Sequence, residues 1–177
     1  MFFKELTEIK NWKVVAEIVA DKLKNNYPEI YHRKTNHSLI YLPIDILELI
    51  RPQLAEMFLP FNINLKNAAV FVMHNNKDAE LHADNFPDNY RINIPIINCE
   101  DSKTQYFEVS ESIYYRNSFY EIKVPSSTSH IKFLDEFELR CPTIISVNDF
   151  HKVLLGKNVP RVSLTLSFYE DISFLLS

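Results

Sequence analysis

Two short pieces of the chain carry residue types that could do chemistry together. One is His82-Ala83-Asp84. The other is His151, followed ten residues later by Arg161-Val162-Ser163. A histidine and an aspartate two positions apart in a strand point to the same face, because strand side chains alternate. Imidazole and carboxylate can then grip one cation from adjacent corners. A third ligand from another strand would complete a facial set with three coordination positions open. Alone, a His-x-Asp is equally a surface pair or a turn. The flank Asn85-Phe86-Pro87-Asp88-Asn89 reads as a loop and suits either.

The second piece has a pattern of its own. Arg161, Ser163, Thr165 and Ser167 alternate with Val162, Leu164, Leu166 and Phe168. Such a strand can keep its polar face in water. It can also turn that face into a barrel, where Arg161 would make a charge-assisted bond to a carboxylate and Ser163 would add a hydroxyl. His151 opens the run Lys152-Val153-Leu154-Leu155, and Gly156, the only glycine in the chain, follows where a turn would need it. The short connection leaves open whether His151 and Arg161 share a face.

The elements that must position these residues change character along the chain. Residues 4–24 place Trp12, Val15, Ile18, Val19, Ala20 and Leu23 near helical spacing, and Asn25-Asn26-Tyr27-Pro28 ends that helix. A second helix is expected from Pro43 at its first position, with Ile46, Leu47, Ile50 and Leu54 along one side, stopping before Pro60. After Asn62, short segments rich in β-branched and aromatic residues predict strands at 68–74, 80–84, 90–97, 105–109, 118–124, 131–133, 143–147, 152–155 and 162–169. The expectation is one mainly β domain over 1–177. It has a mainly helical front (1–62) and a two-sheet jelly roll or small barrel (63–170). With one glycine available, asparagine is expected at left-handed turns, and Asn75-Asn76, Asn85, Asn89, Asn148 and Asn158 are placed for that.

Composition narrows the function classes. The 177 residues suit a single core, and 46% hydrophobic with 24% charged residues is a normal globular balance. A net charge of -4 supplies no basic field for nucleic acid or anionic lipid. No apolar run approaches a membrane span, and the acidic residue early in Met1-Phe2-Phe3-Lys4-Glu5 argues against a signal peptide. Cys99 and Cys141 make neither a disulfide framework nor a zinc spacing. A cytoplasmic protein is expected.

Taken together, His82-Ala83-Asp84, His151 and Arg161-Val162-Ser163 resemble the iron(II)- and 2-oxoglutarate-dependent dioxygenases. In that superfamily a His-x-Asp, a distant His and an Arg-x-Ser sit on a double-stranded β-helix, a cupin-like jelly-roll core. Local context matches too. Tyr90-Arg91-Ile92-Asn93-Ile94-Pro95-Ile96 looks like the strand after the metal pair, and His151-Lys152-Val153 like the family's His-x-Val. The resemblance covers about residues 68–169. It implies that His82, Asp84 and His151 bind Fe(II), and that 2-oxoglutarate chelates the metal with its far carboxylate on Arg161 and Ser163. It also implies hydroxylation of an amino acid, a peptidyl side chain or another small metabolite, with release of succinate and CO2. Asp84 argues against a halogenase, whose pattern omits that carboxylate. The typical glycine before the distal-histidine strand is replaced by Cys141-Pro142-Thr143. The nucleic-acid demethylases of the superfamily carry a second late arginine where this chain has Leu166-Ser167, and an upstream Asn-x-Tyr that is missing here. A nucleic-acid substrate is therefore disfavoured.

Other residues are secondary. Arg91 and Asn93 share a strand face and either line the pocket or face solvent. Thr104 and Tyr106 are candidates for contact with the cosubstrate. His74, His32, His37 and His130 read as structural or surface residues. Tyr27, Tyr31, Tyr41 and the strand Tyr114-Tyr115 read as packing and not as a recognition platform. Loops 85–89 and 117–129 are where specificity would lie. The rival classes are a non-catalytic metal- or ligand-binding jelly-roll module and a purely structural jelly roll. The last would bury two ligands and an arginine without compensation.

Overall fold

The computed structural model describes residues 1–32, 37–74, 79–85, 87–116 and 121–177, the side chains of Tyr31, His37 and Ser38 excepted. Helix α1 (Trp12–Asn26) buries Val15, Ala16, Val19 and Leu23, spaced by one, three and four so that they fall on one side. A short helix α2 (Pro28–Tyr31) follows. Helix α3 (Ile44–Phe58) buries Ile46, Ile50, Leu54, Met57 and Phe58. Pro43 caps α3 from just outside instead of occupying its first turn.

The strands are β1 (Phe3–Glu5), β2 (His37–Tyr41), β3 (Leu65–Met73), β4 (Ala83–Asp84), β5 (Tyr90–Ile97) and β6 (Lys103–Val109). They continue with β7 (Ser112–Arg116), β8 (Glu121–Pro125), β9 (Ile131–Glu138), β10 (Thr143–Ser146), β11 (His151–Leu154) and β12 (Arg161–Phe168). One sheet runs β1-β10-β5-β12-β3-β2, a second β11-β6-β9 and a third β4-β8-β7. A bridge between His82 and His151 joins the last two into one layer. In chain order β3, β5, β10 and β12 belong to the first layer, while β4, β6, β9 and β11 belong to the second. This alternation, with antiparallel pairing throughout, is the double-stranded β-helix, as expected.

The first sheet has two unlike faces. Val162, Leu164 and Leu166 of β12 register against Val72, Val70 and Ala68 on one side and Ile97, Ile94 and Ile92 on the other. Together with the buried residues of α1 and α3 they make the main apolar core, so the helices cover this face. Arg161, Ser163, Thr165 and Ser167 therefore point the other way, between the two layers. Arg161, Ser163 and Ser167 are buried there. Of the two readings of β12, the fold takes the inward one.

Several expectations need correction. Residues 3–5 are strand, not the start of a helix: Phe3 pairs with Ile145 on the sheet edge. Phe2 and Phe3 stack on Tyr106 and Phe3 also stacks on Phe137, which ties the start of the chain to β6 and β9 before α1 begins. Strands β1 and β2 were not expected, because short edge strands carry little alternation, while the strand expected at Tyr114-Tyr115 is β7. Positive φ occurs at Asn11, Asn62 and Asn98 and not at Asn85, Asn89, Asn148 or Asn158, while 75–76 lie outside the described residues. The residue type is right and the places are wrong. Gly156 has no positive φ. What it provides is space: a Cβ there would stand 2.1 Å from Asp101 Oδ1, and the Asp101 carboxylate accepts the Lys157 backbone N–H at 2.8 Å. Tyr41, Tyr114 and Tyr115 do not pack but are exposed, whereas Tyr27 does pack against the core. The cysteines are free thiols. Among the described residues no helix is long and apolar enough to cross a membrane.

Leu164 lies at the centre of the covered face and is fully buried. Leu164→Ala is expected to destabilise the fold by about 2–5 kcal/mol in chemical denaturation. Because Leu164 faces the helices, the inward-facing residues of β12 should keep their arrangement in the folded variant.

Candidate metal centre

Strand geometry brings the metal-ligand candidates together. His82 and His151 exchange both backbone hydrogen bonds, His82 N–H to His151 O at 3.1 Å and His151 N–H to His82 O at 2.8 Å. Directly opposed residues in an antiparallel pair project to the same face. The two imidazoles accordingly lie side by side, with ring centroids 4.7 Å apart. Asp84, two residues beyond His82, shares that face, and its Oδ1 is 3.6 Å from His82 Nε2. One ligand atom from each of His82, Asp84 and His151 lies within 4.8 Å of the others.

Each imidazole is oriented by the chain's own backbone. His82 Nδ1 lies 2.7 Å from Glu80 O, and His151 Nδ1 lies 2.8 Å from Asp149 O. A carbonyl only accepts, so Nδ1 carries the proton in both rings and Nε2 is left with its lone pair toward the site. These carbonyl contacts have no side-chain signature, so sequence reading missed them. Burial, then the neighbouring His82, pushes the pKa of His151 down to about 4. It therefore stays neutral, as a ligand must. Burial raises the pKa of Asp84, and His82 and Arg91 oppose that. A desolvated carboxylate beside two imidazole nitrogens gains from a cation. The donor set of two nitrogens and one oxygen suits a divalent transition metal with open positions.

The opposite wall supplies the second half of the site. Arg161 is the largest of the fully buried side chains, at 2% exposure. Its Nη1 donates to Ser163 Oγ at 3.4 Å, and its buried Nε has no partner. Among the described residues no carboxylate pairs with it. A guanidinium in that state is costly unless an anion joins it. Met73 registers against Arg161 and packs with Val153, which follows His151 by two positions on β11.

The remaining candidates divide clearly. Arg91 is turned inward: its Nη1 donates to Asp88 O at 3.1 Å and Tyr90 O at 2.9 Å, and its charge acts on Asp84. Asn93 lies in register with Thr143 and Thr165 and holds a buried Oδ1 without a partner. Thr104 and Tyr106 are buried on β6, with Tyr106 directly opposite His151. Tyr106 donates its hydroxyl to Ser146 O at 3.0 Å, and burial pushes its pKa up, so it stays protonated. Its donor is already engaged, and its ring forms wall. His74 is half-buried, His32 and His130 are exposed, and the side chain of His37 lies outside the described residues. Residues 86 and 117–120 of the expected specificity loops also lie outside them.

No protein-family model matches the sequence, and no curated protein matches it. Solved structures similar to the chain include a Pseudomonas putida prolyl-4-hydroxylase, with a TM-score of 0.49 at 10% identity, covering 94% of this chain and 91% of that one. A Trichoplax adhaerens prolyl hydroxylase, solved in complex with a hypoxia inducible factor oxygen degradation domain peptide fragment, gives a TM-score of 0.49 at 13% identity, covering 99% and 86%. Escherichia coli ycfD gives 0.38 at 11% identity over 71% of this chain and 30% of its own.

The depressed pKa of His151 makes a prediction about metal-free protein. The folded state holds this ring neutral down to about pH 4, while the unfolded chain protonates it near its ordinary value of 6.5. Stability from this group is therefore complete above about 6.5 and is lost as pH falls toward 4. His151→Gln should remove that part. Denaturant titrations of chelator-treated protein should show the wild type losing on the order of 3 kcal/mol more than the variant across the window. Equal losses would contradict a buried neutral His151.

Proposed function

We propose that this chain is a non-haem iron(II)- and 2-oxoglutarate-dependent dioxygenase that hydroxylates an amino acid, a peptidyl side chain or another small metabolite. The carrying observation is the buried Arg161, with Ser163 beside it and an unpartnered Nε, inside the same barrel as His82, Asp84 and His151. A metal-binding jelly roll without a cosubstrate has no use for that guanidinium.

Each group then has a task. His82, Asp84 and His151 would hold Fe(II), with Nε2 of each ring presented by the backbone contacts at Nδ1. Arg161 and Ser163 would bind the far carboxylate of 2-oxoglutarate through charge-assisted hydrogen bonds. Bound iron would supply the redox chemistry that couples 2-oxoglutarate, O2 and a C–H bond to succinate, CO2 and a C–OH product. Arg91 would add positive charge near Asp84, and Asn93 and Thr104 would line the pocket. The stacked Phe2, Phe3 and Tyr106 would form apolar wall beside the site. His151 neither gives nor takes a proton in the working range. The net charge of -4 keeps nucleic acid the less suitable substrate.

Succinate formation in the presence of Fe(II), 2-oxoglutarate and O2 tests this reading. Wild type should release succinate, and Asp84→Ala should release none because it loses the metal. Arg161→Met should bind Fe(II) normally and need at least about thirtyfold more 2-oxoglutarate, since a buried charge pair loses one partner. The same variant, without cosubstrate, should be more stable by about 1–3 kcal/mol, because an unpaired buried charge is gone. Metal binding without succinate would leave a binding module.

A further inference from the structure

The metal-bearing strand does not end the second layer. Strand β8 pairs with β4, with Asp84 opposite Ile122, and β7 pairs with β8, with Tyr115 opposite Ile122. Directly opposed residues share a face. Asp84, Ile122 and Tyr115 therefore form one row, and Val124 with Ile113 forms the parallel row beside it. The face that carries the metal ligand thus continues outward as an apolar platform of Ile122, Val124, Ile113 and Tyr115.

That platform is open. Ile113 is 56% exposed and Tyr115 54%, and Ile122 and Val124 are half-buried. Strand β7 is the outer strand of its sheet and is exposed along its whole length. It lacks the lysine, proline or inward charge that usually blunts such an edge, with Arg116 only at its end. Contiguous exposed apolar surface of this kind marks a binding surface. It runs without a break into the candidate metal centre, where His82 and Asp84 are themselves partly open.

We infer that the Ile113–Tyr115–Ile122–Val124 face docks an apolar side chain of a polypeptide substrate whose reacting residue sits at the metal. The inference rests on the dioxygenase reading above and narrows its substrate class. Distance selects the polymer over a free metabolite. Tyr115 is two strands from Asp84, about 10 Å, which an extended peptide spans in about three residues. A free amino acid at the metal reaches Ile122, one strand away, but not Ile113 or Tyr115 on β7. The docked residue should be large and apolar, and about three positions from the oxidised one.

The test uses the full-length protein with Fe(II), 2-oxoglutarate and O2, and a pool of short degenerate peptides. Peptides gaining one oxygen are sequenced by mass spectrometry. The expected result is enrichment of an apolar or aromatic residue about three positions from the modified one. For one selected peptide, Ile113→Ser with Tyr115→Ser should raise KM about tenfold with kcat held. Leu59→Ser, a change at a still more exposed apolar residue on the helical side, should leave KM alone. Wild type that releases succinate without peptide, yet modifies peptides with no positional preference or oxidises free amino acids equally well, would overturn the docking inference and leave the dioxygenase standing. A double variant that changes only the sedimentation coefficient would assign the face to a second copy of the chain and also overturn it. Wild type that makes no succinate under any condition would remove both readings.

Discussion

The reciprocal backbone pair between His82 and His151 is the contact on which the site depends. It is a bridge of one residue on each side, yet it joins the β4-β8-β7 hairpin layer to the β11-β6-β9 layer. It also sets the register: a slip by one residue would turn His82 and Asp84 to the far face together. Because the two histidines are directly opposed, their rings meet without any long-range adjustment. The carbonyls of Glu80 and Asp149, each two residues upstream of its histidine, then fix which nitrogen faces the candidate site.

The second constraint is the inversion of β12. Its apolar residues face outward onto α1 and α3, while its polar residues face the barrel. A jelly roll alone would gain more from the opposite arrangement. The helical front makes the inversion affordable by giving Val162, Leu164, Leu166 and Phe168 a core on the outside of the sheet. The barrel interior is then free to hold Arg161, Ser163, Thr104 and Asn93. Stability lies between sheet and helices, and chemistry lies between the sheets. The two can be altered separately.

Much of this was legible in the residues. The order and spacing of His82, Asp84, His151, Arg161 and Ser163 marked the site, and the alternation in residues 161–168 marked a strand with a polar face. The direction of that face was not legible, because period-two alternation is the same whether the polar side meets water or a ligand. The helix of residues 12–26 showed in its spacing, but its start did not. Residues 4 and 5 read as its first turn, whereas pairing of 3–5 with β10 and stacking of Phe2 and Phe3 on Tyr106 and Phe137 make the start a strand. Gly156 lies in the loop between β11 and β12 as expected, but it serves to admit the Asp101 carboxylate and not to make a left-handed turn. Tyr115 read as packing because sequence alone does not tell an edge strand from a central one. Its exposure, and its row with Asp84, come from pairing.

The account stands on one claim, that metal triad and buried arginine serve one bound pair of iron and diacid. Visible absorption under strict anaerobiosis addresses it most directly. Fe(II) alone should give no visible band, and addition of 2-oxoglutarate should produce a weak charge-transfer band in wild type. In Arg161→Met that band should appear only at much higher 2-oxoglutarate. No band in wild type at saturating concentrations of both, or a band equally easy to raise in Arg161→Met, would contradict the claim.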